Sequence, residues 1–214
     1  MNKTLFLSAA ALVASFAASA HAATITGLWN TGVDALGNPL AEGAPDLHYL
    51  VNGSPTPFVY DHPSYLVPSD ARFIAVQPNG GYVNPVNTFS LTFSLAGLNA
   101  ATAQLSGFFE SDNYASVYLN GHFLTQDIQA TVVSNFQSYT PFSAGSSDFV
   151  AGLNTLSFVV TDTGPPSAVL VRGLTGTANA SGAVPEPAAW ALMLVGFGGL
   201  GAALRARRKA FATA

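Results

Sequence analysis

The 214-residue chain contains no cysteine. That excludes disulfides, thiolate zinc sites and a cysteine nucleophile, so stability must come from packing alone. Charge is scarce as well, since Lys, Arg, Asp and Glu together make up 8% of the residues. Cations are the scarcest, and five of the seven sit at the extremities, as Lys3, Arg205, Arg207, Arg208 and Lys209. Between residues 23 and 184, only Arg72 and Arg172 face ten acids, a net charge of −8. A body of that sign repels phosphates, which excludes DNA and RNA as partners. The same charge favours solubility and leaves divalent cations such as calcium open as counterions.

Catalytic signatures are missing too. His48, His62 and His122, the histidines of the body, show neither H-x-H nor H-E-x-x-H spacing. There is no G-x-S-x-G elbow and no phosphate-cradling glycine loop. The expectation is a domain that is not an enzyme, with no metal ligands and no cofactor beyond the open question of calcium. Glu110, Asp112 and Asp127 are the carboxylates that could serve glycoside hydrolysis if the fold paired them. Within Glu110-Ser111-Asp112-Asn113, Asp112 and Asn113 read either as a calcium or sugar-hydroxyl contact or as an Asx turn closing a loop.

The two ends of the chain carry the clearest instructions. Lys3, the apolar run Leu5–Ala18 and Ala20-His21-Ala22 form a secretory signal over residues 1–22, with Ala23 as the first mature residue. A retained N-terminal anchor is the alternative. At the other end Pro185-Glu186-Pro187 leads into Ala188–Leu204, 17 residues without a charge, and then into the basic cluster. A helix of that length reaches roughly 26 Å, a little short of a hydrocarbon core of about 30 Å. Trp190 suits a headgroup layer, and the cations favour a cytoplasmic C-terminus. Pro185 and Pro187 hold the signature extended beside the span. On these grounds the tail, with a transmembrane helix over 188–204, is either a plain anchor or a processed signal.

Pro185, Glu186, Pro187, Trp190 and Ala191, with the glycine-rich span and Arg205, Arg207 and Arg208, resemble the PEP-CTERM sorting domain in its PEPxxWA form. The resemblance places a sorting signal over residues 185–209 and implies an exosortase-type processing enzyme as partner. It further implies a Gram-negative bacterium that makes extracellular polysaccharide. An inner-membrane intermediate would then give way to the cell surface or extracellular matrix. Some ice-binding proteins carry the same tail.

Residues 23–174 read as one all-β domain. Thr88–Leu95 alternates strictly, with Phe89, Leu91, Phe93 and Leu95 on one face and hydroxyl residues on the other. Ala101–Glu110 repeats the pattern, and Ala115–Leu119 and His122–Thr125 flank the hairpin pair Asn120-Gly121. Leu156–Val160 and Ala168–Arg172 add two strands. Short strands punctuated by Gly, Pro and Asn predict a β-sandwich with Phe89, Phe93, Leu105, Phe109, Leu119, Leu156 and Phe158 in its core. Residues 175–184, rich in Thr, Gly, Ala and Ser, read as a flexible linker. The order of these strands, with Gly152, Asn154 and Leu156 in a G-x-N-x-L stretch, resembles the galactose-binding-like jelly roll of carbohydrate-binding modules. That resemblance implies the fold and transfers no binding site.

The least regular stretch is Asn52–Pro85, with six prolines. Its Tyr60, Tyr65 and Tyr82, together with Trp29, are the candidate rings for stacking on sugars. Two functions follow: a non-catalytic module for exopolysaccharide, linked to biofilm, or a structural or adhesive matrix component with no specific ligand. An ice-binding role stands third, because threonines are scattered along the sequence and ice faces call for ranks of them.

Overall fold

A computed structural model describes residues 22–81, 84–127, 135–162, 164–181 and 187–212. Residues 1–21 of the expected signal peptide, Ala20 among them, lie outside the described residues, as do Tyr82, Pro185 and Glu186, while Ala22 opens the first strand. The β-domain and the C-terminal helix form separate units.

The domain contains β1 (Ala22–Thr24), β2 (Tyr49–Val51), β3 (Phe58–Val59), β4 (Ile74–Ala75), β5 (Val86–Ser94) and β6 (Gln104–Asp112). These are followed by β7 (Tyr114–Leu119), β8 (His122–Gln126), β9 (Thr140–Ala144), β10 (Leu153–Thr161) and β11 (Ala168–Asn179). The first sheet runs β3-β4-β11-β6-β9, with β1 added beside β11, and the second runs β2-β5-β10-β7-β8. From β4 to β11 the chain crosses between the sheets at every step except the β7–β8 hairpin. That path is a jelly roll.

Alternation decides which side chains meet between the sheets. Phe89, Leu91 and Phe93 of β5 point inward beside Phe158, Leu156 and Asn154 of β10. Leu105 and Phe109 of β6 close the core from the first sheet, and all seven expected core residues are buried. Phe158 sits at the centre, its ring 6.0 Å from Phe109 and 5.5 Å from Phe142.

The hairpin pair and the G-x-N-x-L stretch are joined by one hydrogen-bond knot. Asn120 (φ 53°) and Gly121 (φ 84°) take the left-handed conformation that a two-residue hairpin turn requires. The Asn120 side-chain amide donates to the Asp148 carbonyl and to Asn154 Oδ1, both at 2.8 Å, and Asn120 Oδ1 accepts from the Thr155 N–H at 2.9 Å. Asn154, fully buried, donates to the carbonyls of Val150 and Gly152 and accepts from the Val150 N–H. Asn154→Ala strands those backbone groups without water, at about 1–3 kcal/mol for each group left unpaired. A loss of about 3 kcal/mol or more in urea denaturation is expected. A loss under about 0.5 kcal/mol, the range of ordinary surface changes, would show that the knot is not structural.

The ends of the domain differ from expectation. Residues 175–179, read as linker, are the second half of β11, paired with β6 on one side and β1 on the other. Small residues there reflect close approach, since a Cβ on Gly176 would lie 2.9 Å from the Gln104 carbonyl oxygen and 2.8 Å from Leu28. The domain therefore reaches Ser181. The strand expected over Ala101–Glu110 starts at Gln104, because Asn99 caps a short 3-10 turn at Ala100–Thr102.

The C-terminal helix α1 spans Pro187–Ala212, longer than the expected 188–204 at both ends. Proline is tolerated in the first turn, and the Ala, Arg and Lys beyond Leu204 are good helix formers. Its large apolar residues from Leu192 to Leu204 are exposed. Among the described residues no helix is long and apolar enough to cross a membrane. The expected span begins at 188–190, where the side chains lie outside the described residues.

Candidate functional site

The β4–β5, β6–β7, β8–β9 and β10–β11 connections all leave the sandwich at one end, as the strand order requires. The irregular segment 60–73 does not stand out from this end as a surface loop. It folds over the outer face of the first sheet, where Tyr65, Ala71 and Phe73 form a second small core with Ala75, Ala168 and Leu170.

This placement corrects the reading of Tyr65 as a surface ring. Tyr65 is 6% exposed, its ring 4.3 Å from Phe73 and 5.2 Å from Phe136. Its hydroxyl donates to Asp112 Oδ2 at 2.7 Å, and burial with the adjacent carboxylate raises its pKa far above that of a free phenol. Tyr60 is half-buried, edge-on to Tyr65 at 6.1 Å and packed under Gly80. Trp29 lies away from this cluster, stacked on His48 at 4.2 Å and packed against the main core.

Asp112, offered as a ligand contact, is 5% exposed and already bonded. Tyr65 donates to one oxygen and Asn113 Nδ2 to the other at 2.9 Å, while the Asn113 carbonyl accepts from Asn135. Asn113 is the single residue between β6 and β7. Asp127 is likewise committed, accepting from Ser111 Oγ at 2.6 Å and from the Ala115 N–H. Glu110 is fully buried on the outer face of β6 opposite Leu170, and neither carboxylate oxygen has a hydrogen-bond partner among the described residues. Burial raises its pKa to about 8 against an opposing pull from Arg172, and burial also raises Asp112 and Asp127. Three carboxylates shut away from solvent offer a substrate neither a general acid nor a nucleophile it could reach. Among the described residues no group of three His, Cys, Asp or Glu is placed to hold a metal ion.

The tail supplies the decisive observation. A family model described as the PEP-CTERM protein-sorting motif matches residues 183–209. This tail is a PEP-CTERM sorting motif. It takes in Pro185, Glu186, Pro187, Trp190 and Ala191 and extends to the basic cluster, of which Arg205 and Arg208 are exposed and the Arg207 side chain lies outside the described residues. Such a motif implies export and membrane-associated sorting.

No curated protein sequence matches the chain. Among solved structures it is similar to an apo cyclase from Fischerella sp., at 11% identity and TM-score 0.44, over 77% of this chain and 100% of that one. It is also similar to a family 29 carbohydrate-binding module, at 14% identity and TM-score 0.38, over 74% and 90% of the two chains. A third is the CBM36-1 domain of a multidomain xylanase from the hindgut metagenome of Trinervitermes trinervoides, at 10% identity and TM-score 0.35, over 76% and 98%.

Proposed function

We propose that this is a bacterial surface or extracellular-matrix protein, sorted by an exosortase-type enzyme, whose sandwich is a non-catalytic module for polysaccharide. The observation that carries the reading is the sorting motif following directly on a complete jelly roll. Sequestered carboxylates support a binding rather than a catalytic role. A net charge of −8 across 23–184 points to neutral glycans as ligands.

Fractionation of the native host tests this. Wild-type protein is expected in the extracellular polysaccharide fraction. A triple change of Pro185, Glu186 and Pro187 to Ala is expected to leave it uncut in the inner membrane. An unaltered distribution of the triple variant would remove the sorting role, and wild-type protein that washes free of the polysaccharide would favour a matrix component without a ligand.

A further inference from the structure

We propose that the open half of the outer face of the first sheet is the groove in which a neutral polysaccharide lies; the inference deepens the glycan-binding reading and rests on it. One half of that face is covered by segment 60–73 and the second core. The other half holds two adjoining concavities of about 450 and 380 Å³ that share Ser106 and Ser143, the larger also walled by Leu124 and Thr125 of β8 at the edge of the second sheet. Each is of the size that ligand sites occupy.

Strand register builds the floor. Thr175, Ser106 and Ser143 form one row across β11, β6 and β9, and Thr177 beside Gln104 forms the next. All five are exposed, because they alternate with Leu105, Phe142, Ala144 and Gly176, which face inward. Four hydroxyls and an amide can both donate and accept, as sugar hydroxyls demand. None carries a charge, so the groove has nothing with which to hold an anionic polymer against the domain's own negative field.

Phe108 lines one end of the groove, 45% exposed on a strand whose other outward residues are polar. Its row runs from Arg172 through Phe108 to Pro141. Tyr139 meets the Phe108 ring edge-on at 6.4 Å, Arg172 lies 4.8 Å over the Tyr139 ring, and Asp70 pairs with Arg172 at 3.1 Å. The exposed ring is therefore held by a chain of neighbours, which lowers the entropy lost when a sugar face stacks on it. Arg172, the nearest cation, is already paired and does not convert the groove into an anion site.

Affinity electrophoresis of the full chain in detergent tests the assignment, with β-glucan, xylan and galactomannan as neutral probes and alginate as the anionic one. At least one neutral polymer is expected to retard the wild type. Phe108→Ala should weaken that retardation at least about tenfold, as truncation of an anchoring ring does. Ser106→Trp, which fills the groove from an exposed strand position, should do the same with the thermal midpoint unchanged. Phe123→Ala, an exposed ring of the other sheet, serves as the unaffected control. Undiminished retardation in either groove variant overturns the groove, as does retardation by alginate alone, while glycan binding itself would stand. Retardation by none of the four overturns both.

Discussion

Phe158→Ala is expected to destabilise the domain by about 3–5 kcal/mol, the range for a large aromatic removed from a packed core. Phe158 is fully buried in the central strand of its sheet, between Phe89 of β5 and Val117 of β7. Across the sandwich it meets Phe109 and Phe142, so both sheets lose their shared contact at once. Neighbouring strands pinned by continuous ladders cannot collapse into the void, which keeps the cost near the top of the range. Against a total stability of about 5–15 kcal/mol, the variant stands close to unfolding. Urea denaturation measures the effect, and a loss below about 1 kcal/mol would mean that Phe158 does not join the two sheets.

The second large effect depends on pH and comes from Glu110. Its folded pKa is raised to about 8, whereas an unfolded glutamate titrates at about 4.3. Below the unfolded value both states hold the proton and there is no penalty. Between the two values the unfolded chain releases the proton while the folded chain keeps it, so stability falls as pH rises. Above about 8 the loss is complete and amounts to roughly 4–5 kcal/mol at most. Asp46, Asp112 and Asp127, raised by burial, tilt the curve the same way. Glu110→Gln removes one titration and keeps the volume. Its stability relative to wild type should therefore climb by several kcal/mol from pH 5 to pH 8, measured by denaturation at each pH. Parallel pH curves for the two proteins would show that Glu110 does not carry the effect.

Strand β5 was legible because its faces differ in kind, Phe and Leu against Thr and Ser, and Asn120-Gly121 was legible because few residues accept its backbone conformation. The far half of β11 was not. Thr175–Asn179 is made of small residues because β6 and the N-terminal segment approach closely, and smallness in sequence looks the same in a linker. Tyr65 was misplaced for a related reason. An irregular segment has no period from which to infer which side it buries, and this one supplies a second core to the outer face of a sheet. Phe108 could have been found. The inward set Leu105, Gly107 and Phe109 leaves it on the face that the alternation assigns to polar residues, where an aromatic has no packing duty. The carboxylates of Asp112 and Asp127 were visible as residues, but Tyr65, Ser111 and Ala115, which bond them, come from other segments, and only the fold brings those together.

Intact-mass analysis of the protein released by its native host bears most directly on the claim of a sorted, processed sandwich. The mature form is predicted to begin at Ala23, which keeps Ala23 and Thr24 paired to Ala178 and Thr177 in β11, and to lack Arg205–Lys209. A main surface species that still carries Met1–Ala22 or Arg205–Lys209 would contradict it.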